Sequence, residues 1–585
     1  MKQLAFIALL AMAAVLYARH LGDAPVYMTP DEVIIAVDAH SIATTGRDVH
    51  GAVMPLYFKI QMHGEQRAGW FMPVIFYAMA VVLKLMPLSE VSARLPTVLV
   101  GVTDIVLIFF VARRMFKSEL LAVAAAALLA LTPAHFILSR YALDYLYPVP
   151  FVFGWLLCVL AYLEHGRTRT LFAATFILGL GFYSYIAAVL MAPVYLLLTA
   201  GLLFYARKPL REYVIAALGF AIPLSMFVVW YFGHPSALAD TAGRYDLYDT
   251  SRMDALQGLR SLFSYNSIEA RAATYWSFLN PSFLFFTGDL QMPFSTRAVG
   301  VFLLPVAVLL IIGLGSAIRH PTPAGVVTAL GFFTAPIPAV LVPENSEIIR
   351  AAVMLPFAVL LATFGLRALW QWPFSSRARH VIMPAALFVL VAAVAYAARS
   401  LITQGHLTSS TGPLILAGVA MCVIAFASDA ISISKIVAVL LLLAMPLQFS
   451  RFSRDYFGDY RRRSSNWLDG NIRGALVDLI ERDRTRSVPF VYFAQLRSTR
   501  GEADTRNRWM DTYWTFYLTK HGRRELLERS RPFNAAKVEA VPKGSLILAN
   551  IGDPIADGLV KSGQLTRVKT ITDEDGTQFF TILRR

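Results

Sequence analysis

The sequence predicts a polytopic α-helical membrane protein of about 13 transmembrane helices, followed by a C-terminal soluble α/β domain. Three observations lead to this prediction. Apolar residues make up 57% of the 585-residue chain, and charged residues make up only 16%. Apolar runs of about twenty residues recur as far as residue 449, which a bilayer requires and a soluble core cannot accommodate. Residues 450–585 then change abruptly to a polar composition with short apolar runs.

Hydropathy along the chain marks the candidate membrane spans. The first segment has a cationic start and a short apolar stretch, as signal peptides do, but no small-residue cleavage site follows it, so it is predicted to remain as the first span. The candidate segments are residues 4–18, 68–87, 97–112, 119–132, 145–163, 171–186, 189–206, 213–232, 298–317, 322–342, 351–370, 380–398, 412–428 and 433–449.

Charge in the short loops tests this set of spans, because cytoplasmic loops are enriched in Lys and Arg. With the N-terminus inside, the basic loops all fall on the cytoplasmic side only if segment 68–87 does not cross the bilayer. That segment contains Pro73 and is flanked by Arg67 and Lys84, which suits an interfacial helix. The basic loop residues are Arg113, Arg114, Lys117, Arg167, Arg169, Arg207, Lys208, Arg211, Arg319, Arg377 and Arg379.

The resulting topology places the large polar regions on one non-cytoplasmic face. These regions are the first loop at 19–96 with its interfacial helix at 68–87, the second large loop at 233–297, and the C-terminal domain at 450–585; the transmembrane domain is predicted to be 1–449. The spans carry few charges, Asp104 being the clearest acidic exception. Transporters and proton pumps instead place ionisable residues at mid-depth. The polar chemistry is therefore expected at one membrane face.

Charge and cysteine content exclude two further classes. The net charge of +15 would suit nucleic-acid binding, but many cations lie in short loops where membrane topology places them, so no nucleic-acid partner is expected. Cys158 and Cys422 both lie inside apolar segments, so neither a disulfide framework nor a metal-binding pattern is predicted.

The first polar motif follows the first span. Asp31 and Glu32 are adjacent carboxylates at the edge of the bilayer, where a general base would act beside a low-dielectric site. The alternative is a helix N-terminus capped by Thr29 or Asp31. The same loop carries Lys59, His63, Glu65 and Arg67.

The second motif is Ser139-Arg140-Tyr141-Ala142-Leu143-Asp144 on the same face. Arg140 and Asp144 stand four residues apart, so they are expected to form an ion pair within one helix. The functional alternative makes Arg140 a phosphate ligand and Asp144 the residue that orients it.

Two later motifs are less specific. The stretch from Asn280 to Asp289 is rich in phenylalanine, which is typical of a membrane-interface belt, and Gly288 with Asp289 indicates a turn. Arg350 precedes a span; it would either snorkel to the interface or hold an anionic lipid head group.

The order of these pieces resembles the GT-C superfamily of membrane glycosyltransferases, and within it the bacterial relatives of protein O-mannosyltransferases and lipid A aminoarabinose transferases. The resemblance is strongest over residues 20–165. It rests on Asp31-Glu32 after the first span, Pro55-Leu56-Tyr57-Phe58, Ala93-Arg94-Leu95-Pro96, Arg113-Arg114-Met115-Phe116, Thr132-Pro133, and Ser139-Arg140 to Asp144. Phe283-Leu284-Phe285, Gly288-Asp289, and Arg350 with Pro356 look like later landmarks.

The resemblance implies a fold of about 13 spans and an inverting transfer of a sugar from a polyprenyl-phosphate carrier to a hydroxyl acceptor at the outer face. The acceptor would be a lipid, a glycan or a protein, and membrane lipids would be further partners. The implied location is the bacterial inner membrane, with the active site and the C-terminal domain in the periplasm. No metal is required in this interpretation, although Asp31 with Asp144 is an alternative divalent-metal site.

The resemblance also implies roles for individual residues. Relatives carry a Lys-Pro-Pro element where this chain has Gln66-Arg67-Ala68-Gly69-Trp70, so a planar guanidinium replaces a point charge there. The candidate residues are Asp31 and then Glu32 as general base; Arg140, Arg67, Lys59 and Arg350 for the donor phosphate; Asp144 for orientation; and Tyr57, His63, Trp70, Phe285 and Asp289 for the acceptor or lipid groove.

The C-terminal region is predicted to fold as a small α/β domain. Strands are expected at Phe490 to Phe493, Leu546 to Ile551 and Phe579 to Leu583, and a helix at 467–483. Arginines between 451 and 463 are expected to meet anionic lipid head groups, or alternatively to guide an anionic acceptor. Two other functions remain open at this point, a lipid-linked saccharide flippase and a non-catalytic subunit of an envelope complex.

Overall fold

The computed structural model describes residues 2–60, 69–245, 247–341, 347–371, 433–468, 470–496 and 510–585, together with four positions between 391 and 398. Helices dominate the part before residue 470. They are α1 Lys2–Ala18, α2 Pro30–Thr45, α3 Pro73–Leu83, α4 Glu90–Phe116, α5 Glu119–Ala130, α6 Pro133–Leu138, α7 Pro148–His165, α8 Thr168–Gly181, α9 Ala188–Tyr205, α10 Leu210–Gly233, α11 Ala237–Arg244, α12 Ala255–Leu262, α13 Tyr265–Phe278, α14 Leu304–Arg319, α15 Pro323–Thr334, α16 Met354–Gln371, α17 Ile433–Phe457 and α18 Asp459–Ser465.

The chain is a multi-pass membrane protein. Among the described residues, seven helices are long and apolar enough to cross a bilayer: Glu90–Phe116, Asp144–His165, Ala188–Tyr205, Leu210–Gly233, Pro323–Leu341, Met354–Gln371 and Ser434–Phe457. Four further predicted spans coincide with shorter apolar helices, at Leu4–Ala18, Glu119–Ala130, Thr168–Gly181 and Leu304–Arg319. The predicted spans at 380–398 and 412–428 lie outside the fully described ranges. The total of about 13 spans therefore stays a prediction.

The segment predicted as one interfacial helix at 68–87 is built differently. Residues Gly69–Phe71 form strand β2, which pairs antiparallel with β1, Phe58–Ile60. The helix α3 begins only at Pro73, because proline fixes the backbone angle of a first helical residue and lacks the N–H that a ladder would use. With 11 residues, α3 is about half as long as a helix that crosses a bilayer. Its inner face packs on β1, where Phe76 stacks on Phe58 with ring centroids 3.9 Å apart.

Two spanning helices approach each other closely because both carry a glycine at the crossing. A Cβ atom added at Gly313 of α14 would lie 1.9 Å from the carbonyl oxygen of Leu361 in α16. A Cβ atom at Gly365 of α16 would likewise lie 2.0 Å from the carbonyl oxygen of Leu309 in α14. Small residues at such a crossing let two backbones touch, which is how helices gain packing energy in a membrane.

A mixed sheet follows the last spanning helix, and the predicted strands lie within it. The elements are α19 Ile472–Arg482, β3 Val491–Phe493, α20 Met510–Lys520, β4 Ser530–Pro532, β5 Leu546–Asn550, α21 Pro554–Lys561, β6 Thr566–Thr572 and β7 Gln578–Arg584. The strand order is β4-β3-β5-β7-β6, with β3 parallel to β4 and β5 and with β7 antiparallel to β5 and β6. The strands at β3, β5 and β7 and the helix α19 match the sequence predictions.

Candidate active site

The candidate site is built around the N-terminus of α2. Thr29 caps the helix by accepting a hydrogen bond from the backbone N–H of Glu32, while the Glu32 carboxylate accepts one from the N–H of Thr29 at 2.9 Å. Pro30 occupies the first helical turn, where its missing N–H is not needed. The helix N-terminus capped by Thr29, which was the structural alternative predicted for this motif, is therefore formed. It leaves Asp31 half-buried in the first turn, where the helix dipole stabilises an anion.

Glu32 points the other way, into a buried ion pair. The Arg94 Nε atom donates to Glu32 Oε1 at 2.9 Å, and both side chains have no exposed surface. The backbone N–H of Ala142 donates to the same carboxylate at 2.8 Å. Because these partners saturate Glu32 and exclude solvent, the structure corrects its assignment as a candidate general base. Glu32 instead ties α2 to α4 and to the segment after α6.

Arg94 extends this connection to the loop that precedes α2. Its guanidinium donates to the carbonyl oxygens of Leu21 at 3.0 Å, Pro25 at 2.8 Å and Tyr27 at 2.7 Å. Irregular backbone that is buried away from water needs such partners for its carbonyl groups. The pair formed by Glu32 and Arg94 therefore fixes the path of the chain into Asp31.

Asp31 and Asp144 lie close enough for their charges to interact. Asp144 is buried at the start of a short 3-10 turn, Asp144–Leu146. Tyr245, at the end of α11, lies within range of both charges. Burial, together with the charges of Asp144 and Asp31, raises the pKa of Tyr245 to about 12, against the lowering effect of Arg244 and Arg350. Two of the predicted residues are thus brought together, with a tyrosine of the second loop beside them.

A cation, Arg350, lies in a turn that contacts the turn of Asp144. Arg350 lies in the 3-10 turn Ile348–Arg350, and its Nη2 atom is 3.6 Å from the Glu347 carboxylate. The charge of Arg350 interacts with both Tyr185 and Tyr245, and the charge of Asp144 interacts with the same two tyrosines. Arg350 is therefore near the two carboxylates, as its predicted role at the donor phosphate requires. Its side chain is 15% exposed, which leaves it accessible to a ligand.

Arg140 takes a structural position that the sequence interpretation did not anticipate. Its guanidinium donates to the carbonyl oxygens of Tyr17, of Arg19 at 2.7 Å and of Ala24 at 2.6 Å. The group also lies over the ring of Phe457, 5.0 Å from its centroid. These partners correct both earlier interpretations of Arg140, the phosphate ligand and the ion pair with Asp144. Arg140 holds the end of α1 against the end of α17.

Asp289 is a buried carboxylate that connects two loops. It is fully buried, its Oδ1 atom accepts from the N–H of Gln291 at 2.9 Å, and its Oδ2 atom accepts from the N–H of Ile348 at 2.7 Å. Burial raises the pKa of Asp289 to about 6, against the lowering effect of these hydrogen bonds. Asp289 therefore fastens the second loop to the turn that carries Arg350. It also lines a small cavity with Gly288, Phe294 and Ile348, and its predicted place in an acceptor groove stays a prediction. Phe285 lies in a π-turn beside it, half-buried against Phe302.

Tyr57 and Trp70 belong to an aromatic cluster at the C-terminal end of α10. Tyr57 is 4% exposed and packs on Trp230 with ring centroids 4.3 Å apart, and Trp70 meets Trp230 edge to face at 5.0 Å. Among the residues that the structure describes, the Tyr57 hydroxyl and the Trp70 indole N–H find no hydrogen-bond partner. Lys59 is exposed on β1, opposite Trp70 in the hairpin. His63 and Arg67, the other predicted residues of this loop, lie outside the described residues.

Several residues of the site were missed in the sequence. Arg244 lies against the backbone of Gly69, where an added Cβ would be 2.4 Å from its Nη1 atom, and over the Phe71 ring at 5.6 Å. Tyr145, Tyr185 and Tyr245 surround Asp144. Tyr145 directly follows Asp144, which was predicted, so its place in the sequence is the signal that could have identified it. The others come from loops whose meeting point only the fold defines.

No three His, Cys, Asp or Glu side chains gather into a metal-binding group within the described part of the chain. Asp31 and Asp144 are a pair, and basic side chains lie near them.

Comparisons with known proteins agree with this description. Residues 69–232 match the family model of dolichyl-phosphate-mannose-protein mannosyltransferase. The crystal structure of ArnT from Cupriavidus metallidurans in the apo state is similar with a TM-score of 0.52 at 16% identity, covering 98% of this chain and 97% of that chain. The structure of that protein bound to undecaprenyl phosphate gives a TM-score of 0.50 at 15% identity, with the same coverage of 98% and 97%. A comparison with curated proteins gives no significant match.

The chain therefore shares the fold of ArnT over nearly its whole length. The resemblance to the GT-C superfamily of membrane glycosyltransferases, predicted from the order of short motifs, is confirmed.

Proposed function

We propose that this protein is an inverting glycosyltransferase that moves a sugar from a polyprenyl-phosphate carrier to an acceptor hydroxyl, with Asp31 as the general base. The observation that carries the proposal is the convergence of Asp31, Asp144 and Arg350 from three distant parts of the chain. The family model matched by residues 69–232 is named for a dolichyl-phosphate sugar, and the ArnT relative binds undecaprenyl phosphate. Both names favour a lipid-phosphate donor.

The reaction needs a base on one side of the anomeric carbon and positive charge on the other. The acceptor oxygen attacks the anomeric carbon, its proton passes to a carboxylate oxygen of Asp31, and the bond between the anomeric carbon and the phosphate oxygen breaks with inversion. Asp31 and Asp144 repel each other when both are ionised, so uptake of a proton relieves that repulsion. General-base catalysis of this kind contributes about a hundred- to ten-thousandfold in rate.

The leaving polyprenyl phosphate is a weak base, so it needs electrostatic stabilisation more than a proton. Arg350 supplies a guanidinium near the carboxylates, and we assign Arg244, which lies against Gly69 beside the hairpin, as the second cation. Arg350 and Arg244 take the phosphate-binding role that was predicted for Arg140, because the Arg140 guanidinium donates to backbone carbonyl oxygens. With two fixed cations present, we propose that the transfer requires no metal ion. Activity should then survive a chelator of divalent cations.

The location and the remaining partners follow from the predicted topology. We propose that Asp31 and residues 450–585, taken as an α/β domain, face the periplasm of a bacterial inner membrane. Tyr57 and Trp70 would contact the lipid or the acceptor through the aromatic cluster, and Lys59 would reach the donor from the hairpin. The sugar would be a hexose or a pentose, and the acceptor a lipid, glycan or protein.

The test is transfer by the full-length protein in detergent. Purified wild type and Asp31→Asn are incubated with a panel of labelled undecaprenyl-phosphate hexoses and pentoses and with envelope lipids, glycans and proteins as acceptors. Asp23→Asn is the matched control, because Asp23 is an exposed carboxylate of the same loop. We expect wild type and the control to transfer label, and Asp31→Asn to lose at least about a hundredfold. No transfer by wild type from any donor refutes the enzyme, whereas full activity of Asp31→Asn refutes only the base.

A further inference from the structure

The C-terminal sheet domain holds the stretch of chain that leads into Asp31. Helix α20 packs against α2, and the Tyr513 hydroxyl donates to the carbonyl oxygen of Met28 at 2.6 Å in a buried hydrogen bond. Met28 stands only three positions before Asp31, and its own side chain is buried. The hydrogen bond therefore fixes the backbone immediately before the capped helix.

A second connection holds the neighbouring residue. The Tyr27 hydroxyl donates to the Asp573 carboxylate in the turn between β6 and β7. Arg473 of α19 lies over the Tyr27 ring, 5.7 Å from its centroid, and donates to the carbonyl oxygen of Gly22 at 3.3 Å. Leu468 packs against Tyr27 and Val26 in a small apolar cluster. Residues 22–28 are thus fastened from the C-terminal side at several points.

A third connection reaches the same place through α4. Lys520, the last residue of α20, forms an ion pair with Glu90 at 2.6 Å, in the first turn of α4. Arg94 stands one turn further along that helix and binds Glu32 together with the carbonyl oxygens of Leu21, Pro25 and Tyr27. The domain therefore contacts both the loop before Asp31 and the helix that orients this loop.

We infer that the C-terminal domain positions the general base, and that Tyr513 and Asp573 act as positioning residues for Asp31. This inference rests on the proposed function. Neither residue touches the site, because their partners are Met28 and Tyr27 and the chain passes through the Thr29 cap before it reaches Asp31. A loop held at both ends keeps a reacting group within the narrow range of positions that catalysis requires.

The kinetic test uses Tyr513→Phe and Asp573→Leu in the full-length protein. Tyr513→Phe removes the hydroxyl that donates to Met28, and Asp573→Leu removes the carboxylate that accepts from Tyr27 while it keeps a side chain of similar size. Tyr492→Phe is the control, because Tyr492 lies in β3 and packs on Phe490 and Phe533 of the same domain. We expect kcat per folded molecule to fall about tenfold in both variants, equivalent to about 1.4 kcal/mol in the barrier, with the KM for the donor unchanged. The control should keep the kcat of wild type.

Thermal unfolding separates this role from general stability. If Tyr513 and Asp573 serve only the fold, their variants lower the melting temperature and the folded fraction, while kcat per folded molecule equals that of wild type; this result overturns the inference. The double variant Asp31→Asn/Tyr513→Phe adds a second readout. A positioning residue has little left to position once the base is gone, so we expect no further loss beyond Asp31→Asn.

Hydrogen exchange tests the same inference without any activity. In Tyr513→Phe, the backbone amides of residues 26–32 should exchange at least about tenfold faster, while those of β5 and β7 keep their wild-type protection. Unchanged exchange at 26–32 refutes the positioning role even if the wild-type protein shows no transfer. If the amides of residues 26–32 exchange faster in Tyr513→Phe but the wild-type protein transfers no sugar, the structural connection between Tyr513 and this segment stands, and only the proposed function is rejected.

Discussion

Breaking the buried pair between Glu32 and Arg94 should separate stability from catalysis at this site. Arg94 has no exposed surface, and it donates to both oxygens of Glu32, at 2.9 and 3.3 Å, and to three backbone carbonyls. Arg94→Met removes all of these donors and leaves an uncompensated buried carboxylate. Such a change costs about 3–5 kcal/mol.

Glu32→Gln should cost less. The amide oxygen still accepts from the N–H of Ala142, and Arg94 keeps its three backbone carbonyls, so the loss is limited to charge-assisted hydrogen bonds of about 1.5–3 kcal/mol. The double variant Glu32→Gln/Arg94→Met should cost clearly less than the sum of the single variants, because the second change no longer strands a charge.

Thermal unfolding of the purified protein in detergent measures these differences, with tryptophan fluorescence as the signal. Glu164→Gln is the control, because Glu164 near the end of α7 pairs with Arg114 of α4 at 2.7 Å in a partly exposed position, where an ion pair contributes at most about 1 kcal/mol. If Arg94→Met destabilises the protein no more than Glu164→Gln, the buried pair does not hold the loop as argued.

Sugar transfer provides a second criterion. Glu32→Gln should keep kcat per folded molecule within about tenfold of wild type, whereas Asp31→Asn should lose at least about a hundredfold. The opposite order would restore Glu32 as the base.

Three further predictions concern stability and topology. Burial raises the pKa of Asp38 to about 6, partly offset by the N–H of Val49. Stability that is fully present below the ordinary carboxyl pKa of about 4 is therefore lost as the pH rises from there to 6, by on the order of 3 kcal/mol. Asp38→Asn should flatten this fall in the melting temperature between about pH 4 and 6.5, and an unchanged slope would contradict the assignment. Gly313→Ala should force α14 and α16 apart and lower stability by about 3 kcal/mol in thermal unfolding. Gly315→Ala on the same helix is the control and should have little effect, because an added Cβ meets no atom of the described residues within 4 Å. Equal effects of the two variants would reject close helix contact as the cause. Leu85→Cys, at a side chain that is 83% exposed, should react with a membrane-impermeant maleimide added from the outer side of intact cells, and labelling only from the cytoplasmic side would overturn the topology.

The helical framework could be read from the sequence because apolar length and local capping decide it. Glu90–Phe116 and Leu210–Gly233 contain the predicted spans 97–112 and 213–232, since a long apolar run has only one way to satisfy its backbone in a bilayer. The segment at 68–87 was wrong in detail for a local reason. Its apolar composition did not distinguish the strand Gly69–Phe71 from the helix that begins at Pro73.

The candidate site was predictable only in part. Asp31, Asp144 and Arg350 were expected on one face from loop parity, and the fold brings them together. The direction in which each side chain points was not available, because adjacent residues in a helix or turn face different surroundings. Asp31 and Glu32 illustrate this: one is half-buried at the site, and its neighbour is fully buried against Arg94. Adjacent positions in the sequence therefore do not tell a residue that faces the site from one that supports the fold around it.

The buried charged residues around the candidate site share one physical task. The part of the protein around Asp31 contains irregular backbone that is buried, and every carbonyl or N–H buried there without a partner would cost free energy. Arg94 and Arg140 supply donors to the carbonyl groups between Tyr17 and Tyr27, while Glu32 and Asp289 accept from the N–H groups of other loops. A charged side chain is a strong partner for several backbone groups at once, so a site assembled from loops requires buried charges around it as well as within it. Asp31 is distinguished by its half-buried position in the first turn of a capped helix, and the C-terminal connections at Met28 and Tyr27 act on the segment that sets this position.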